Sequence, residues 1–571
     1  MTVGGTGTSP MVVTALVLVV LATLLIGARG IVIRSTSDFL VASRRLSPTV
    51  NAAAVSGEYL SAASFLGVAG LVVKDGIGAL WYPVGFTAGY VLMLALVAAP
   101  MRRTGALTVP DFAQARLGSP GLRRLCAVAV IVIAAMYLVP QFKAAGLLLN
   151  LVSGSPYWVG VVVAGAAVSI TLALGGMRAA TYVQAFQFLL KMVLFTVPAI
   201  WLLVHVGAET RSSALTPVEF TTFSRDTPVE FRVDTRLTIT EPTRVAVDGT
   251  APTTLAPGAY TAVTGSTWTF ASGSDVPDVA GTAAPGGEGW SRPLLDPSGA
   301  GFPLLATLSV LVATVLGTMG LPHIVVRFHT SADGWGARRT AAITVAMLSA
   351  FYLFPAVYGL LGAVLLPELF LAGGTDTVVV ALPARVDTGW AGELLTAMLT
   401  AGAFAAFLAT SLGLLLALSG AVSHDLMSTG SVRRLRFTTL AAAVVVVALA
   451  LPAAHLDISV LVTSAFAVAA STFCPLLVLG LWWAGLTARG AAVGMVVGLL
   501  ASAGVIVVGL LIAPPPGLAS VLLGQPALWS VPLAFGTMVL VSLRGTAPAW
   551  AAAAMLRLHL DERPERSNRS S

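Results

Sequence analysis

Charge is what this sequence has least of. Only 10% of its 571 residues are Asp, Glu, Lys or Arg, while 57% are hydrophobic; a soluble domain carries about 25% charged residues. A chain this poor in charge cannot cover a water-facing surface of its own size. That excludes a soluble enzyme, a disordered protein and a coiled coil. Cysteine is nearly absent as well. Cys126 and Cys474 lie in apolar runs and offer no CxxC, no zinc spacing and no disulfide framework. HExxH, P-loop, GxSxG and dinucleotide fingerprints are missing, so no motif supports catalysis or a bound cofactor. The balance of +7, 32 basic minus 25 acidic side chains, is read as a membrane-topology signal before it is read as affinity for nucleic acid.

What is present is a succession of long apolar runs. A helix crossing the hydrocarbon core needs about 20 mostly apolar residues. Thirteen runs qualify, near 10–28, 48–71, 81–101, 124–148, 155–174, 183–205, 302–322, 340–366, 392–422, 437–455, 457–484, 488–512 and 526–544. The first has no charge before it and Arg29 and Arg34 after it, the reverse of a cleaved signal peptide. It is expected to stay as an uncleaved span with its N-terminus outside. The odd-numbered connections then face the cytoplasm and carry the arginines: 29, 34, 44 and 45; 102, 103, 116, 123 and 124; 178; 327, 338 and 339; 433, 434 and 436; 489; and the tail. The short outer connections hold little beyond Lys74 and Arg385. This alternation follows the positive-inside rule and predicts a multi-pass protein of the plasma membrane with a cytoplasmic C-terminus.

One segment is different. Residues 206–301 are polar, with six arginines against eleven acidic residues. The stretches Glu230-Phe231-Arg232-Val233-Asp234 and Arg236-Leu237-Thr238-Ile239-Thr240 alternate polar and apolar side chains, as half-buried strands do. A small β-rich extracellular insertion is one expectation; a disordered loop is the other.

Ionisable residues within spans usually face a pathway or a partner. Three stand out. Glu58 sits in AVSGEYLSAASFLG, where Gly57 and its small neighbours mark a helix break. Unwound carbonyls at such a break can coordinate a cation; the alternative is a packing face with Glu58 hydrogen-bonded inside the bundle. Lys143 follows Pro140 and Gln141. It is a candidate for a substrate carboxylate, for a pair with Glu58, or for snorkelling to the outer surface. Lys191 reads as a structural partner for a helix carbonyl or a carboxylate. In the seventh span, Gly317, Gly320 and Pro322 argue for a second break. Breaks five spans apart point to two inverted repeats, spans 2–6 and 7–11, with the transport site between them. His323 and His329 read as loop anchors, since no ligand cluster surrounds them.

The stretches GEYLSAASFLG (57–67), GGMRAATYVQAFQ (175–187), LGTMGLPHIVVRF (316–328) and SGAVSHDL (419–426) resemble the sodium/solute symporter family, most closely its acetate-permease-like, monocarboxylate branch. The resemblance implies an all-α integral membrane protein with a LeuT-type 5+5 inverted-repeat core. It divides the chain into a first helix and connection (1–47), a first repeat (48–205), the insertion (206–301), a second repeat (302–484) and C-terminal helices with a cytoplasmic tail (485–571). It also implies a sodium site formed by the carbonyls of Ala52 and Val55 and the hydroxyls of Thr410 and Ser411. Gln184 stands where sugar-transporting relatives look to have an aspartate, which argues against a second cation there. The expected function is cation-coupled symport, with sodium as the co-transported ion, of a small organic anion such as acetate, propionate or pyruvate. Gln141, Lys143, Gln184 and Thr318 are the candidate substrate residues, and Glu58 is a coupling or structural charge. An amino acid or other zwitterion held between Glu58 and Lys143, proton-coupled monocarboxylate uptake, and a transporter-like sensor are the alternatives.

Overall fold

The computed structural model describes residues 10–28, 35–42, 46–215, 222–231, 234–279, 285–286, 290–296, 302–427, 431–455, 458–512, 517–547 and 549–559. Arg29, Arg34, Arg44, Arg45, Arg232 and the tail arginines Arg563, Arg566 and Arg569 lie outside these residues. Among the described residues, nine helices are long and apolar enough to cross a membrane, and up to eleven if each of two bent pairs is one span.

The apolar runs lie on helix. The elements that matter here are α1 (Pro10–Ala28), α2 (Pro48–Tyr59), α3 (Val68–Asp75), α4 (Trp81–Leu96), α5 (Pro120–Ser153), α6 (Tyr157–His205), α7 (Pro303–Gly320), α8 (Pro322–Phe328), α9 (Gly334–Phe351), α10 (Trp390–Gly420), α11 (Val432–Ala450) and α12 (Ile458–Trp482). Their starts follow local chemistry. Ser47 and Ser119 accept from the Val50 and Leu122 amides, and Pro48 and Pro120 follow at first-turn positions that need no amide hydrogen. The expected fifth and sixth spans follow one another within α6 as two helices that meet at Gly176, without a connecting loop. Gly176 lies at φ 52° and ψ −147°, where an added Cβ would stand 2.9 Å from the Phe39 carbonyl oxygen. Only a residue without Cβ takes that backbone shape in that space.

The bundle closes around α10, which is buried along most of its length between α6, α5 and α1. Helix α7 packs on α12 and α4. Gly317 and Gly320 make this approach possible, since a Cβ would stand 2.5 Å from the Phe466 carbonyl oxygen and 2.4 Å from that of Ala469. Small residues at such seams let helix backbones meet closely.

The insertion is β-rich. Among the described residues its strands are β1 (Thr227–Glu230), β2 (Thr235–Ile239), β3 (Thr243–Val247), β4 (Thr253–Leu255), β5 (Gly258–Ala262), β6 (Thr267–Phe270) and β7 (Asp278–Val279). They form antiparallel sheets in the orders β1-β6-β3-β4 and β5-β2-β7. Leu237 and Ile239 face inward on β2 while Arg236 and Thr238 face out, as the alternation predicts. The first expected strand is displaced, because β1 ends at Glu230 and Arg232 and Val233 lie outside the described residues. Beyond the sheets, the indole of Trp290 donates to the Val73 carbonyl at 3.3 Å and that of Trp81 to Pro293 at 2.7 Å. These bonds fasten the return of the insertion to the adjoining ends of α3 and α4.

Candidate transport site between two helix breaks

The second span is broken. Helix α2 ends at Tyr59, Leu60 takes φ −71° and ψ 79°, and the chain resumes at Ala63 with a bend of 66°. Each backbone group released there needs another partner, because the interior offers no water to answer it. Those partners come from three other helices. The Gly57 and Leu60 carbonyls accept from Lys191 Nζ of α6 at 2.5 and 2.9 Å. The Glu58 carbonyl accepts from the Thr410 hydroxyl of α10 at 2.5 Å. The Ala62 amide donates to Gln141 Oε1 of α5 at 3.0 Å. The Ser61 amide turns back to the Tyr59 carbonyl at 2.8 Å.

The break therefore falls at Leu60, three residues past the expected Gly57. Gly57 is helical, and its bare Cα serves packing: a Cβ there would stand 2.2 Å from the Gln184 carbonyl oxygen. In the seventh span, Leu321 alone leaves the helix, at φ −68° and ψ 114°, and Pro322 begins α8. No side chain from another helix caps this break among the described residues. The two breaks meet where the Tyr59 hydroxyl and the Thr318 hydroxyl lie 2.6 Å apart. Aromatic rings surround that contact, with Tyr59 edge-on to Tyr90 at 4.8 Å and Phe86 at 5.1 Å from Phe466. The Tyr90 hydroxyl is buried there and makes no hydrogen bond among the described residues.

Glu58 has a partner that the sequence reading missed. Arg327 Nε lies 2.6 Å from Glu58 Oε2, and both side chains are fully buried. The guanidinium also donates to the Thr181 hydroxyl at 2.9 Å and to Gln184 Oε1. On α10, Gly413 makes room for the carboxylate, since a Cβ there would stand 1.6 Å from Glu58 Oε1. Arg327 is thus a core residue and not an inner-loop cation, because α8 carries it back into the bundle behind the second break. An acid at mid-span that requires a cation, and an arginine five positions after a helix-starting proline, were the available signals. The ion pair seen for Glu58 is with Arg327 and not with Lys143.

The other expected site residues divide. Ala52 and Val55 are buried on α2, within the two turns before the break. Thr410 reaches α2 at the Glu58 carbonyl, three residues past Val55. Ser411 is buried, and its hydroxyl has no hydrogen bond among the described residues. Gln141 and Gln184 are taken up internally. The Gln141 amide nitrogen donates to the Tyr137 carbonyl, and that of Gln184 to Ala409 at 2.7 Å. Lys143 is buried, but two residues apart on the continuous helix α5 it does not share a face with Gln141. His323 is no loop anchor. It is buried edge-on to Tyr137, with ring centroids 5.6 Å apart, and neither ring nitrogen is bonded among the described residues. No cluster of three or more metal-ligating side chains forms among the described residues.

A narrow crevice of about 20 Å3 is lined by Glu58, His323 and Arg327, by Gly413, and by Thr108 and Asp425. Its far end lies at an arginine-rich pole. There Arg123 binds Asp425 at 2.9 Å, Arg102 donates to the Ser331 and Ala332 carbonyls, and Arg116 donates to Gly480 at 3.0 Å.

Comparisons with known proteins agree with this geometry. A family model described as the sodium:solute symporter family matches residues 39–240 and 287–498, a range that includes both breaks. Among solved structures, a Na+-coupled sialic acid symporter in a substrate-bound outward-open state is similar at a TM-score of 0.68 and 13% identity, over 94% of this chain and 98% of that one. MHP1, a nucleobase-cation-symport-1 family transporter in a closed conformation with bromovinylhydantoin bound, is similar at a TM-score of 0.53 and 13% identity, over 92% and 100%. At these identities the likeness is one of fold, and the fold is the LeuT type.

Proposed function

The chain belongs to the sodium:solute symporter family, and from that premise we propose that it is a secondary active, sodium-coupled symporter of a small organic anion such as acetate, propionate or pyruvate. Symport coupled to a cation follows from the family. The anion is supported by the buried basic groups on the helices that reach the first break, Lys143 on α5 and Lys191 on α6, beside the Arg327–Glu58 pair. An anionic substrate offsets that surplus, and a cationic one adds to it.

Sodium is a hard cation that takes oxygen ligands. The carbonyls of Ala52 and Val55 and the hydroxyls of Thr410 and Ser411 supply four. Ser411 has no competing bond among the described residues, and Thr410, which donates its hydrogen to the Glu58 carbonyl, keeps its lone pairs for an ion. The substrate carboxylate is assigned to the junction of the breaks, at the Thr318, Tyr59 and Tyr90 hydroxyls, where it would part the Tyr59–Thr318 contact, with Lys143 contributing charge. Gln141 and Gln184 are left to hold the helices. The zwitterion reading loses support, because the acid it needs for an ammonium is engaged with Arg327.

In alternating access, sodium and substrate shift the balance of states only through their different affinities for each. The crevice from Glu58 to Asp425 is assigned as the release route, with the arginine-rich pole cytoplasmic and the insertion outside. Uptake of labelled acetate and pyruvate into proteoliposomes tests the reading. An imposed sodium gradient should drive accumulation and an imposed proton gradient should not. Accumulation driven by protons alone would keep the substrate and remove the sodium; absence of uptake under both would remove the monocarboxylate.

A further inference from the structure

Lys191 is unusual among the charges of this core. Its side chain is fully buried, and no ion pair to it is seen among the described residues. Its only bonded partners there are the Gly57 and Leu60 carbonyls, at 2.5 and 2.9 Å. These are two of the three carbonyls that the first break releases to groups outside its own helix. Unwound carbonyls of this kind are what discontinuous transporter helices use to coordinate a co-transported cation.

We propose that Lys191 closes the break in the second span to sodium, its side-chain nitrogen holding the Gly57 and Leu60 carbonyls that a second co-transported cation would coordinate. The donor belongs to the protein and cannot leave with the substrate. Sodium is then confined to the neighbouring oxygens of Ala52, Val55, Thr410 and Ser411, and one sodium is carried in each cycle. The inference rests on the sodium-coupled reading above. It does not depend on whether the amine carries its third proton, because either form donates to both carbonyls.

The test counts sodium ions without needing the substrate. Binding of radiolabelled sodium to the purified, detergent-solubilised protein is measured for the wild type and for Lys191→Ala, which removes the donor and leaves space beside both carbonyls. The expected result is one ion per wild-type chain and a second ion in the variant. An unchanged count in the variant overturns the inference and leaves sodium coupling intact. No binding by the wild type but one ion in the variant supports closure of the break by Lys191 and overturns the count of one sodium per cycle together with the coupling reading; no binding by either overturns both. If Lys191→Ala is unstable, its size-exclusion profile in sodium and in choline decides. A monodisperse peak in sodium alone shows an ion replacing the amine, whereas aggregation in both salts contradicts the replacement.

Discussion

The two helix breaks touch through Tyr59 and Thr318, yet they are held by different means. At the first, Lys191, Thr410 and Gln141 reach in from α6, α10 and α5 to answer groups that left the helix. At the second, Pro322 has no amide hydrogen to lose, and α8 simply starts there. A proline break is a property of its own few residues and persists whatever its neighbours do. A break held by remote side chains is a property of the assembled bundle, and it responds when those helices move or when an ion competes for Thr410. On the proposed function, coupling belongs beside the first break, and the second acts as a fixed corner.

Substitutions can break this comparison or sharpen it. The largest effect is expected at the ion pair beside the first break. Arg327→Met leaves Glu58 buried without its partner and should cost about 3–5 kcal/mol, read as thermal stability in detergent. Pairing it with Glu58→Leu should recover much of the loss; no recovery would mean that Arg327 acts through Thr181 and Gln184 instead. Next comes Gln141→Leu, which leaves the Ala62 amide unanswered and should cost about 1–3 kcal/mol by the same measurement. Thr410→Val should raise the sodium concentration for half-maximal uptake about tenfold, the equivalent of about 1.4 kcal/mol, while Thr410→Ser stays near the wild type. The smallest effect is expected at the second break, where Pro322→Ala should cost under about 1 kcal/mol, because the position sits at a helix start. A loss at Pro322 as large as that at Gln141 would erase the distinction.

The same contrast explains what was legible in the sequence. The second break could be placed to within a residue, because Gly320 and Pro322 are adjacent to it. The first could not. Its determinants lie on other helices, so Gly57, which serves packing against Gln184, drew the expectation three residues too early. The spans were legible because burial in lipid needs continuous apolar runs, and β2 was legible because one face of a sheet is buried. Arg327 was not, since hydropathy cannot tell an arginine that ends a span from one that α8 carries back inside. Lys191 carries a further signal in the sequence. The chain has three lysines, Lys74, Lys143 and Lys191, against 29 arginines, and two of the three lie inside apolar spans. Such scarcity marks these positions as sites where an arginine does not serve.

The central claim is that sodium acts beside the first break, at the oxygens of Ala52, Val55, Thr410 and Ser411, and not at the second. Hydrogen–deuterium exchange of the purified protein in sodium and in choline tests it most directly, comparing peptides that cover residues 56–66 and 316–326. The account predicts slower exchange in sodium for 56–66, little change for 316–326, and loss of the sodium effect in Thr410→Val. Protection centred on 316–326, or a sodium effect that survives in Thr410→Val, would contradict it.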